Sequence, residues 1–487
     1  MVRKAYEAQH RFDVAPIAEV ELNLNCRDSM IPVLAGLQYL YTQPEFRRQA
    51  VKLVELDLNA HSRRDIGRRG MDDWQVVVLA AVRLGCNLTY DELHDLTDNH
   101  RALRGIMGIG DWSDGHAFSF RRIQDTITRV SPETIEKISQ LVVRAGHNLD
   151  PEACRRVRAD SFVVETNIHH PTESSLILDG MRKLMPICIE LAAELGVEGW
   201  RQASHLLTGI RKRATKISRI AASKSSKKGE AMKSAYADLL ERARLLLDRA
   251  KALVDAEKAG HGTESTLQRR VELEGWIDLT TQVCDTAARR VLLGETVPNR
   301  DKLFSMFETH TQLYRRGKAR TPNQFGRLVM IFEDDAGFVS HYHMLDREAA
   351  DADVVVEQTR KAQAQHKGRI ESASFDRGFY SKDNKQQLGE IVNVASVMPR
   401  APGQYAAQLK TEPVVFRVAR LRHPGVESAI HALQSGNGLK RCRDRSEIGF
   451  ERYLGLAILG RNIHTLGKLV IAQKDPECLS AQTMRAA

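Results

Sequence analysis

Asp160 lies in RADSFVVETNIHHPTESS, a segment whose first half is apolar and β-branched like a buried strand. A carboxylate there is costly unless it is paired or holds a cation. Asp376 directly follows a second strand-like run, RIESASF, and precedes Arg377 and Gly378. Ligands of open α/β sheets gather at strand carboxyl ends, so two acids on neighbouring parallel strands would face one another there. Their repulsion would raise one pKa unless a cation joined them. Mg²⁺, with Mn²⁺ as a substitute, takes oxygen ligands while keeping waters and phosphate oxygens. A third acid is expected from the C-terminal helical part. Glu427 opens the helix HPGVESAIHAL at the edge of an inner face made by Val426, Ile430 and Leu433, whereas its rivals Glu447 and Glu451 sit in a later helix that reads as core. Just beyond Glu427, GNGLKRCRDR offers Lys440, Arg441, Arg443 and Arg445 as a phosphate cradle, with Arg377 as a further phosphate contact.

The elements that must position these acids follow from periodicity. FGRLVMIFEDDAGFVSHYHML reads as a β-hairpin, with Asp334, Asp335 and Gly337 as turn residues. Helix (DADVVVEQTRKAQAQH), strand (RIESASF), helix (KDNKQQL) and strand (VNVASVM) come next. With the Asp160 strand first, the order is β-β-β-α-β-α-β-α, that of an RNase H-like core, in which the first and fourth strands are adjacent and parallel. The expected fold class is therefore α+β to α/β: an RNase H-like mixed-sheet core, interrupted by a long helical insertion and preceded by a helical domain. The boundaries read as 1–150 for the helical N-terminal domain, 151–195 for the first part of the core, and 196–318 for the insertion. The second part of the core spans 319–470 and a tail 471–487. In the insertion, Tyr236, Leu240, Ala243, Leu247, Ala250 and Val254 make a heptad-like seam suited to an antiparallel helix pair turning at 260–262, after a basic run at 211–233. Glu165 lies five residues after Asp160, on the opposite strand face, and reads as structural.

The N-terminal part is helical. MDDWQVVVLAAVRLG ends at Gly85, Thr89 and Glu92 form a capping box, and Ser131 with Pro132 opens another helix. Helix, short turn, then a helix bearing Arg121, Arg122 and Arg129 resembles a helix-turn-helix array, or else an ordinary bundle with a charged face. The 487 residues carry 72 Lys+Arg against 62 Asp+Glu, a net charge of +10 that suits a polyanion such as double-stranded DNA. Seven scattered cysteines without a CxxC pair argue against a disulfide scaffold or zinc ribbon. No apolar signal region is visible, and WQVVVLAAVRLG is too short to span a bilayer and contains Arg83, so no membrane association is expected. A cytoplasmic location follows.

DSFVVETNIHHPTESSLILDGMR, NQFGRLVMIFEDDAGFVSHY, ASFDRGFYS, HPGVESAIHAL, GLKRCRDR and GLAILGRNIHTLG occur in an order and spacing that resemble the DDE transposases of bacterial insertion sequences, close to the ISNCY group. TYDELHDLTDNHRALRGIMG and FSFRRIQDTITRV resemble the helical N-terminal domain of the same transposases. One departure is Glu173, where aspartate would be expected after HHPT. The resemblance implies DNA transposition, with Asp160, Asp376 and Glu427 as the metal-binding triad. Its substrates would be the element's terminal inverted repeats and target DNA, and processing both ends together would need a homodimer. Two alternatives stand beside this reading. One is a transposase-derived DNA-binding regulator without catalysis. The other is a tyrosine nuclease, using the His-hydrophobic-His pattern of His341 to His343 with Tyr380 as nucleophile. His169 and His170 could orient a carboxylate, touch DNA, or only pack their loop.

Overall fold

The computed structural model describes residues 14–24, 26, 28–60, 71–110, 114–260, 263–315 and 322–474. Residues 261–262 of the expected insertion turn and 475–487 of the expected tail lie outside the described residues. The chain opens with α1 (Met30–Thr42), α2 (Pro44–Asn59), α3 (Asp73–Gly85), α4 (Tyr90–Asn99), α5 (Arg101–Ile106), α6 (Phe120–Ile127) and α7 (Pro132–Leu149). After β1 (Arg156–Glu165) come α8 (Glu173–Leu195), α9 (Ala203–Ala222), α10 (Lys228–Ala259) and α11 (Glu264–Ala287). Three strands follow, β2 (Gln312–Tyr314), β3 (Gln324–Asp334) and β4 (Val339–Met344), then α12 (Asp351–Gln365), β5 (Ser372–Phe375), α13 (Lys382–Ile391) and β6 (Val394–Ser396). The chain closes with α14 (Pro402–Thr411), α15 (Val414–Arg422), α16 (Gly425–Gly436) and α17 (Glu447–Lys474). This is a mostly helical α+β fold with one mixed sheet.

The chain divides into two compact units, one made of Met1–Glu165 with Arg327–Ala487, the other of Thr166–Gly326. The division differs from the five parts read from the sequence. The N-terminal helices share a unit with the sheet, and α8 goes with the insertion. The expected tail also starts later, because α17 continues to Lys474.

In the first unit the strand order is β4-β3-β1-β5-β6. β1 and β5 are parallel, as are β5 and β6, while β3 and β4 form the antiparallel hairpin. The local signals for the N-terminal helices hold. Thr89 and Glu92 cap α4 reciprocally, Ser131 caps α7 with Pro132 in its first turn, and every residue of α3 is buried. Arg83 on α3 is buried because its guanidinium meets both carboxylate oxygens of Asp444, at 2.9 and 2.5 Å, and stacks on Tyr90.

α17 is the centre of this unit's core, with buried residues on every side. Asn462 in its middle accepts from the Val339 N–H and donates to the Val339 carbonyl and the Ser139 hydroxyl, all within 2.9 Å, tying β4 and α7 to the helix. Glycines let other helices approach closely. A Cβ at Gly460 would overlap the Gly85 backbone of α3, and one at Gly467 the Pro32 carbonyl of α1.

In the second unit, Tyr236, Leu240, Ala243, Leu247, Ala250 and Val254 are all buried along α10, as the seam predicts, and pack with α8, α9 and α11. The helical region stops short of residue 318, the expected end of the insertion. α11 closes at Ala287, and Gly294 at φ +75° and Pro298, which lacks an N–H, break the helix before β2. β2 pairs with the first three residues of β3, Gln324–Gly326.

Two helices, α14 and α15, fill the segment between the VNVASVM strand and the helix bearing Glu427, to which the sequence reading assigns no element. α14 buries no residue and so shows no apolar period. Gly460→Val should overpack the α17–α3 crossing and cost about 1–3 kcal/mol, seen as a lower thermal midpoint. Gly275→Ala, at an exposed α11 position with open space around it, should leave stability unchanged or slightly raised.

Candidate active site

The register of the sheet brings the first two acids together. Arg158 pairs with Ser374 and Ala159 with Phe375 across the parallel β1–β5 ladder, so Asp160 and Asp376 are the next residues in line. Alternation places Arg158 and Asp160 on one face of β1, the face to which Ser374 belongs on β5. Asp160 is half-buried in mid-strand, and its Oδ1 accepts the Ser161 N–H at 2.7 Å. Asp376 is exposed one residue past β5, where its carbonyl accepts the Phe379 N–H and starts a tight 3-10 turn.

α15 and α16 cover this face. His423, between them, is buried and bonds the Ser374 hydroxyl through Nδ1 at 3.2 Å. Burial pushes its pKa down to about 4, Arg420 adds to that, and Asp376 opposes it. Arg420 donates to the Phe375 carbonyl at 2.7 Å. Gly425, the first residue of α16, lies directly against the Arg158 guanidinium, where a Cβ would overlap it. At the other end, the loop after α16 returns to β1: the Cys442 N–H donates to Glu165 and the Glu165 N–H to Lys440. α16 therefore runs along β1 from Arg158 toward Glu165. Glu427 is about 3 Å along the helix from Gly425, and Asp160 about 7 Å along the strand from Arg158. Glu427 is exposed, while Val426, Ala429 and Leu433 face inward; Ile430, expected on the inner face, is only half-buried. The rivals are engaged elsewhere. Glu447 pairs with Arg327 at 2.7 Å, and Glu451 is half-buried, its pKa raised by burial.

Basic groups and acids form a fixed frame beside the carboxylates. Arg158 donates to buried Glu333 at 2.6 Å, and Arg156 and Arg422 both reach Asp335. Burial raises the Glu333 pKa, and Arg158 holds it back. Arg377 is exposed and its guanidinium lies 4.5 Å from the Tyr405 ring centre. Lys440 is exposed, and Arg441 is exposed with Glu165 at 3.6 Å. Arg443 is held within the fold, donating to the Tyr453 hydroxyl at 3.0 Å and to Asn87. Arg121 and Arg129 are exposed and Arg122 half-buried on and just after α6. Arg158, Arg420 and His423 carry no motif of their own; only the β1–β5 register reveals them.

The other candidates sit elsewhere. Asp334 accepts the Ala336 and Phe338 N–H groups, as a turn aspartate does, but it is also buried against His147 at 2.7 Å. His341 is buried with Nε2 3.0 Å from Gln358, and Tyr380 is half-buried. His169 is exposed, 3.5 Å from Asp179, while His170 packs edge-on against Phe325. Among the described residues no helix is long and apolar enough to cross a membrane. All six described cysteines are free.

Comparison of the chain with protein-family models, with curated proteins and with solved structures finds no match.

Burial pushes both His341 and His423 down to about 4, well below the ordinary value of 6.5. A histidine depressed in the folded state gives stability that is full above its unfolded pKa and lost as pH falls. Their contribution should therefore fade between about pH 6.5 and pH 4. In thermal melts across this range, His341→Gln should give a shallower acid-side fall of the midpoint than the unaltered chain.

Proposed function

We propose that the chain is a DDE-type transposase that cuts DNA at element ends and joins the freed 3′-OH to target DNA. The observation that carries this reading is the register placing Asp160 beside Asp376 on adjacent parallel strands, with Glu427 arriving on the helix that covers them. The strand order β4-β3-β1-β5-β6, with its antiparallel hairpin and parallel β1–β5–β6, supports an RNase H-like core.

The donor set fits Mg²⁺ or Mn²⁺. Asp160, Asp376 and Glu427 offer only hard oxygens, and the nearby imidazole of His423 is engaged with Ser374. When bound, such cations activate the attacking hydroxyl and stabilise the leaving oxygen of an in-line displacement. Asp160 and Asp376 would hold the shared position and Glu427 the second. Arg377, Lys440 and Arg441 are placed at exposed positions that suit phosphate contacts, and Arg121, Arg122 and Arg129 suit contacts to duplex DNA. Hydrolysis at the element end and transesterification to the target then proceed without a covalent protein–DNA bond. A homodimer would process both ends, and the exposed apolar stripe Val414, Val415, Val418 and Leu421 on α15 is the face we assign to that pairing.

The test is strand cleavage on DNA flanking the gene, with and without Mg²⁺ or Mn²⁺. Asp160→Asn, Asp376→Asn and Glu427→Gln should each lose cleavage by orders of magnitude while binding DNA like the unaltered chain. Cleavage that survives in Asp160→Asn and Asp376→Asn would remove the triad. Metal-independent cleavage lost only in Tyr380→Phe would instead favour the tyrosine route. Binding with no cleavage by any form, on ends shown to be complete, would favour a regulator. Lys440→Ala or Arg441→Ala should lower the log–log salt slope of DNA binding by about 0.9 for each phosphate contact removed.

A further inference from the structure

A second cluster of ligand-type side chains lies apart from the carboxylates and plays no part in the proposed reaction. His147 is in the last turn of α7, Cys154 in the 3-10 turn that leads into β1, and His366 at the C-terminal cap of α12. One ligand atom from each lies within 4.8 Å of the other two. All three residues are buried, at 5%, 0% and 3% exposure, so water does not readily satisfy their polar atoms.

Two details point to a missing partner at this cluster. Nδ1 of His366 is buried without any hydrogen-bond partner, a costly state for an imidazole nitrogen unless something binds it. His147 is held through Nε2 by the buried Asp334 at 2.7 Å, and Asp334 is itself fixed by the Ala336 and Phe338 N–H groups. A carboxylate holding one imidazole nitrogen while the other faces a cluster is the usual outer support of a metal-ligating histidine. It would leave Nδ1 of His147 for the ligand.

We propose that His147, Cys154 and His366 form a transition-metal site, best suited to Zn²⁺, with Asp334 orienting His147. Two imidazoles and a thiolate are a soft donor set that selects zinc over magnesium. Tetrahedral zinc with bonds near 2.0–2.3 Å needs ligand atoms roughly 3.3–3.8 Å apart, so the cluster needs to contract by only about 1 Å. Three protein ligands leave a fourth position open. Both histidines line a cleft of about 900 Å³ whose other lining residues include Lys52, Lys137, Arg144, Lys367 and Arg369 and, among the described residues, no acid. The open position therefore faces a positively charged cleft suited to water or an anionic ligand.

The full chain, stripped of metal with a chelator, should be titrated with Co²⁺ as a spectroscopic probe and with Zn²⁺ against a chromophoric chelator. The expected result is a single site with a thiolate-to-cobalt charge-transfer band, tight Zn²⁺ binding and a higher thermal midpoint on Zn²⁺ addition. Cys154→Ser should abolish the band, and Asp334→Asn should weaken Zn²⁺ binding roughly ten- to hundredfold. Cys188→Ser and Asp160→Asn should bind as before, which separates this site from the carboxylates. If the cluster variants do not fold, alkylation of Cys154 in the unaltered chain, at a denaturant level that opens this buried cluster, decides, since Zn²⁺ should then slow modification of that thiol. A chain that takes up no Co²⁺ with a thiolate band, a band that survives Cys154→Ser, or a Cys154 thiol unprotected by Zn²⁺ overturns the proposal.

Discussion

The first unit depends on how one buried helix is contacted. α17 is apolar on nearly all sides, so it can be stable only when surrounded. Glycine at 460 and 467 lets α3 and α1 come close enough to bury it, and Asn462 converts what would be a purely apolar contact into a fixed register with β4 and α7. The hydrogen bonds of Asn462 are specific where apolar packing is not, because an unsatisfied amide in that interior would cost about 1–3 kcal/mol. The N-terminal helices are therefore not an appendage. Arg83 reinforces the same linkage, since its buried charge finds its counter-ion, Asp444, on the segment just before α17.

The candidate site inherits its geometry from that scaffold. Asp160 and Asp376 need no loop to bring them together; the parallel ladder does so, and a sheet backbone is a stiffer support than a connection. Around them, Arg156, Arg158 and Arg422 are already balanced by Glu333 and Asp335. Their charge is thus largely spent on positioning α16 and the hairpin. The two aspartates thus sit beside a charged frame whose arginines are already engaged with acids of the hairpin.

The sequence revealed what is local. Caps such as Thr89 with Glu92, the seam of α10, the hairpin and the strand bearing Asp160 can all be read from a short window, because each is set by neighbours a few residues away. α14 buries nothing and carries no apolar period, whereas α15 does carry one, in Val414, Val418 and Leu421, but turns it to solvent and buries only Phe416 and Ala419, so the stripe does not mark a core-facing helix. The division into units was also hidden, since whether α8 packs on the sheet or on α10 and α11 depends on tertiary fit alone. Arg443 looked like part of a basic loop until its fork met Asn87 and Tyr453. His366 is far along the chain from His147 and Cys154, and the three match no spacing rule, so only folding brings them together.

The second unit enters and leaves the chain side by side, for the Thr166 N–H bonds the Phe325 carbonyl at 3.0 Å. This has a consequence for synthesis on the ribosome. β1 emerges early, but its partners β3 and β5 follow only after the whole of α8 to α11 has been made. The inserted helices rest on contacts nearer in sequence, which form quickly, whereas the β1–β5 ladder must close a very long loop. The nascent chain would thus complete its inserted bundle first, with an unpaired apolar strand held in waiting. The unit containing the carboxylates could not consolidate until α17, made after every strand of the sheet, had left the tunnel.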